Sequence, residues 1–74
     1  MAIIRNFDEL DLKANARHSE TAGGWSVQGQ DGEKFIQINT VGSEERMIPG
    51  KVSQTLRLSK SAIEQLAELA RKHL

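Results

Sequence analysis

Three observations predict an α+β domain of four antiparallel strands followed by one helix. Apolar residues alternate along "WSVQGQ" and "KFIQINTV" on either side of Asp31-Gly32, and they alternate again along "KVSQTLRLS". They then recur at three- and four-residue spacing through Ile63, Leu66, Ala67, Ala70 and Leu74. A period of two sends successive side chains to opposite faces of a strand, whereas a period near 3.6 gathers them on one side of a helix. The expected plan is a single domain over residues 1–74, with an N-terminal arm at 1–9, an antiparallel sheet over 10–58 and an amphipathic helix at 59–74.

The first strand is the least clear. Leu10, Leu12, Ala14 and Ala16 alternate as in a strand, although "FDELDLKANAR" also fits a short helix; the strand is preferred. "HSETAGG" reads as the loop that follows, because it is polar and ends in two glycines. Asp31-Gly32 is a strong two-residue hairpin signal, since Gly accepts a positive φ without steric cost. After the second hairpin strand, "GSEERMI" is long enough for an extended arm, and Pro49-Gly50 marks the turn into the last strand. The helix begins at Ser59 or Ser61, either of which suits an N-cap. Ser61 with Glu64 also has capping-box spacing, and Arg71, Lys72 and His73 suit the negative C-terminal end.

Size and composition narrow the function classes. At 74 residues the chain is below the length at which one core gives a comfortable stability margin, so self-association is expected to help. No cysteine is present, which excludes disulfides, thiolate-zinc sites and thiol chemistry, and points to a reducing cytoplasm. Apolar runs are short and no signal-peptide pattern occurs, so neither secretion nor membrane insertion is expected. An enzyme is not expected: His18 and His73 are isolated, and there is no phosphate-binding glycine loop or paired-histidine metal motif. Asp8, Glu9 and Asp11 read as a solvated acidic face, so no metal, cofactor or small-molecule substrate is expected.

Ten Lys plus Arg balance ten Asp plus Glu, so overall charge does not mark a nucleic-acid binder. Distribution is more informative. Strand alternation puts Val27, Ile36, Ile38, Leu56 and Leu58 toward the helix, and Ser26, Gln28, Gln30, Phe35, Gln37, Asn39, Thr55 and Arg57 on the face turned away. Amides donate and accept at base edges, hydroxyls meet sugar or phosphate, and an exposed Phe35 would stack on a base. Lys34, Arg46, Lys51 and Arg57 are the candidate phosphate contacts. An ordinary solvated sheet face carries the same polar residue types, and Phe35 also suits a dimer core.

The pieces "DGEKFIQINTVG" and "KVSQTLRLSKSAIEQLAEL" together resemble the PUR repeat, the purine-rich-element-binding family, over about half of the chain. The shared pattern is Gly, two residues, Phe-Ile-x-Ile, then Ser-Gln-x-Leu-x-Leu-Ser at the last strand before the helix. The fold is similar to that of the positive cofactor four single-stranded-DNA-binding domain. The resemblance implies a curved antiparallel sheet, an intertwined homodimer and a preference for single-stranded DNA or RNA, with a role in transcription regulation. It also implies contacts from Gln28, Gln30, the Asp31-Gly32 turn and Phe35. Gln28 and Asp31 stand where the repeat is expected to carry Lys or Arg.

Two further readings belong beside this one. A ribbon-helix-helix binder would use the last strand and helix, but the chain lacks the second helix. A protein-interaction or oligomerisation module of the same fold would use the sheet face or edge to meet a partner.

Overall fold

A computed structural model describes residues 1–41 and 52–74. It contains β1 (Ala2–Ile4), β2 (Ala22–Gln30), β3 (Glu33–Val41), β4 (Val52–Leu58) and α1 (Lys60–His73). The strands form one four-stranded sheet in the order β1-β4-β3-β2. The α+β class and the succession of four strands and a helix are as the sequence predicts. The arm at 42–48 and the Pro49-Gly50 turn lie outside the described residues.

The hairpin follows from its turn. Asp31 has φ 52° and Gly32 φ 78°, the two positive values that a turn between twisted antiparallel strands requires. It sets Val27 opposite Ile36 and Ser26 opposite Gln37. Across the next pairing, Ile36 faces Leu58 and Gln37 faces Arg57, so the apolar and polar rows of three strands coincide.

The first strand departs from expectation in both place and direction. Residues 10–16 form neither strand nor helix, and Leu10 and Leu12 are exposed. Ala, Asp, Asn and Lys dominate that segment and favour strands poorly, whereas the short "AII" at the start carries two β-branched residues. Those residues form β1, which pairs parallel to β4 with Ala2 opposite Leu56 and Ile4 opposite Leu58. The sheet is therefore mixed, not wholly antiparallel.

Ser59 is the helix cap. Its backbone is extended, and its Oγ accepts a hydrogen bond from the Ala62 amide at 3.2 Å. Ser61 does not cap: its hydroxyl donates to the Arg5 carbonyl at 3.0 Å, so the expected Ser61–Glu64 capping box does not form. The last turn carries Arg71, Lys72 and His73 as predicted.

The helix does not lie across the sheet, which corrects the expected packing. Ala62 is buried and Ile63 and Gln65 are half-buried, but residues 66–74 are exposed, and α1 makes no extensive contact with any strand. Its first turns hold the N-terminal segment instead. Ser59 N–H donates to the Ile4 carbonyl at 3.1 Å. Gln65 accepts from the Phe7 amide at 2.8 Å and donates to the Phe7 carbonyl at 2.7 Å. The buried apolar set among the described residues is accordingly small: Phe35, Leu58 and Ala62.

Candidate functional site

Register places Ser26, Gln28, Gln30, Phe35, Gln37, Asn39, Thr55 and Arg57 on one face of the sheet, as strand alternation predicts. Asn39 pairs with Thr55 and Gln28 with Phe35. The polar members are mostly half-buried, because each leans on its neighbours.

Arg57 organises this face. Its Nε donates to Gln37 Oε1 at 2.9 Å and its Nη1 to Gln30 Oε1 at 2.8 Å. Arginine has no acceptor, so both glutamines must present oxygen to it. With that oxygen committed, Gln37 donates through Nε2 to Asn39 Oδ1 at 3.2 Å, and Asn39 donates through Nδ2 to Thr55 Oγ1 at 2.8 Å. One guanidinium thus fixes the orientation of three amides. Among the described residues Arg57 has no carboxylate partner. Beside it, Met1, Ala2, Ile3, Gln30 and Thr55 line an open cleft of about 390 Å³.

Phe35 shares this face but is not a stacking platform. It is 3% exposed, with the Arg5 guanidinium carbon 5.5 Å from its ring centroid. Arg5 also holds Glu33 by two hydrogen bonds, Nη1 to Oε2 at 2.9 Å and Nη2 to Oε1 at 3.0 Å. The Glu33 carboxyl is held below its usual range, first by that hydrogen bonding and further by the positive charge. Arg5, absent from the predicted site, is thus what covers the aromatic ring. Its place two residues beyond Ile3, continuing the line of β1, is the signal that pattern reading passed over.

Lys34 does not join the face. Strand alternation sends it to the opposite side, with Ile36 and Ile38. Arg46 and Lys51 lie outside the described residues. Of the four predicted phosphate contacts, Arg57 is the one that the described structure brings to the polar face.

The opposite face is apolar and open. Trp25 is 73% exposed, Val27 55% and Ile38 37%, while Ile36 and Leu56 are half-buried. On α1, Leu66 and Leu69 are also exposed, and with Ala70, His73, Leu74 and Glu9 they line a groove of about 400 Å³.

No grouping of His, Asp and Glu suited to a metal ion occurs among the described residues, and no helix among them is long and apolar enough to cross a membrane. No protein-family model, curated protein or solved structure matches the chain.

Proposed function

We propose that this chain is a homodimeric module that binds single-stranded DNA or RNA across its polar sheet face, as a PUR-like domain would. The observation that carries the reading is the Arg57-centred network, in which a positive charge with no carboxylate partner among the described residues orients a row of amides and a hydroxyl. Single strands expose the base edges and sugar-phosphate oxygens that side chains of this type meet.

The second copy has its own support. Trp25, Val27, Ile38, Leu66 and Leu69 are open to water in one chain, large apolar side chains of the kind that homodimer interfaces cover. Association through these residues would supply the core that Phe35, Leu58 and Ala62 only begin. A cytoplasmic setting and a role in transcription regulation belong to the same proposal.

Fluorescence anisotropy with single- and double-stranded oligonucleotides at two salt concentrations tests it. Single strands should bind more tightly, with a shallow salt dependence. Each neutralised phosphate contributes a slope of about −0.7 on single strands, and Arg57 alone accounts for roughly one such contact per chain. Absence of single-strand binding at low salt rejects the function.

One observation favours a second reading. Phe35 is buried and Lys34 faces away, so among the described residues the polar face has no exposed ring and carries little charge. A protein-interaction or oligomerisation module with little nucleic-acid binding fits that composition. It would capture its partner equally well before and after nuclease treatment.

A further inference from the structure

The hydrogens left over on the polar face have a definite character. Gln30 and Gln37 spend their oxygens on Arg57, and Asn39 spends its oxygen on Gln37. The donor hydrogens left uncommitted on the network's own side chains are the amide N–H pair of Gln30, one N–H each on Gln37 and Asn39, the hydroxyl hydrogen of Thr55, and one Nη1 and both Nη2 hydrogens of Arg57. All of these are donors. The committed carbonyl oxygens keep second lone pairs, but each is already polarised toward an N–H. Gln28 is different: it gives its nitrogen to Ser26 Oγ at 3.0 Å and keeps its oxygen uncommitted.

A donor-rich face pairs best with a ligand that presents acceptors. Thymine and uracil offer two carbonyl oxygens, and guanine offers O6 beside N7; cytosine and adenine keep ring-nitrogen acceptors, and cytosine its O2, but place an amino donor, N4 or N6, where the keto bases have O4 or O6. Donor against donor leaves both groups without a partner and costs more than a missing contact. Phosphates alone would not produce such a distinction, since every strand carries the same ones.

We infer that the polar face selects keto bases, thymine or uracil and guanine, over cytosine and adenine. The inference rests on the single-strand reading above. Arg57 is the source of the selectivity, because its inability to accept sets the direction of every amide from Gln30 to Asn39. Each net hydrogen bond gained or forfeited changes affinity several-fold, so a few repeated along a homopolymer give a measurable ratio.

The test compares oligothymidylate with oligodeoxycytidylate of equal length at slightly alkaline pH, using the wild-type chain, Asn39→Asp and Arg57→Lys, with circular dichroism confirming that each variant is folded. Wild type should bind oligothymidylate about fivefold more tightly or better. Asn39→Asp exchanges donor hydrogens for acceptor oxygens in nearly the same shape; it should weaken both complexes and erase most of the ratio. Arg57→Lys keeps the charge but cannot hold two amide oxygens in a planar fork, and should retain binding while narrowing the ratio. Equal affinity of wild type for the two oligonucleotides, or tighter binding of oligodeoxycytidylate, overturns the selectivity while leaving single-strand binding intact. No binding to either oligonucleotide overturns the single-strand reading and the selectivity with it.

Discussion

The guanidinium of Arg5 lies over the ring of Phe35, 5.5 Å from its centroid. The arginine comes from the segment after β1 and the phenylalanine from the start of β3, so this contact ties the N-terminal segment to the central hairpin. It also settles what the aromatic side chain does within the chain. A ring capped by a cation that is itself held by Glu33 is part of the core.

Phe35→Ala should therefore cost stability, by about 3–5 kcal/mol for a large aromatic removed from a buried site. Phe35→Leu should cost distinctly less. Urea denaturation followed by circular dichroism measures both, and an unchanged midpoint in Phe35→Ala would show that the ring is not buried in solution.

Acid should weaken the same contact. Burial opposes ionisation of Glu33, but hydrogen bonding and charge from Arg5 outweigh it and hold the carboxyl below its ordinary value of 4.5. The folded chain thus binds this proton less readily than the unfolded chain does. Its contribution is complete above the ordinary carboxylate range and disappears as pH falls through the lowered value. Urea midpoints measured at successively lower pH should fall faster for wild type than for Glu33→Gln below 4.5, and parallel curves would rule the pair out as a source of acid sensitivity.

The clamp between α1 and the N-terminal segment is open to a separate test. Gln65→Ala removes both bonds to the Phe7 backbone, with an expected loss of about 1–2 kcal/mol and faster hydrogen exchange at the Phe7 amide. Ser59→Ala removes the cap for about 0.5–2 kcal/mol. If exchange at Phe7 is the same in wild type and Gln65→Ala, the clamp does not persist in solution.

Self-association makes the clearest demand on solution mass. Light scattering should give twice the chain mass for wild type, and Leu69→Lys should shift it toward the monomer at low concentration. Trp25 emission should move to the red in the same variant, because the indole is 73% exposed in a lone chain. Monomer mass for wild type across the concentration range excludes the dimer.

Much of the architecture was legible because its signals are local. Asp31-Gly32 names its own turn, and the alternation around it sorts Gln37 from Ile38 without knowledge of any other strand. The amphipathic spacing from Ile63 onward marks the helix in the same way. What escaped depended on distant partners. Nothing near Leu10 and Leu12 reveals that no strand edge waits for them, and nothing near Ile3 reveals that β4 does. The exposure of Phe35 failed for a similar reason, since alternation assigns a face but cannot tell what a remote arginine will cover. Lys34 differs, because alternation within β3 already places it on the face opposite Phe35.

The parallel pairing of β1 with β4 has a consequence for the order in which the molecule is made. Ala2 finds its partner in Leu56, so residues made well before β4 cannot be placed until β4 itself has emerged. The β2–β3 hairpin can close long before that, from its own turn. Until β4 is made, Arg5 has no fixed position and the Phe35 ring waits uncovered, an apolar surface on a nascent chain for as long as synthesis up to that strand takes.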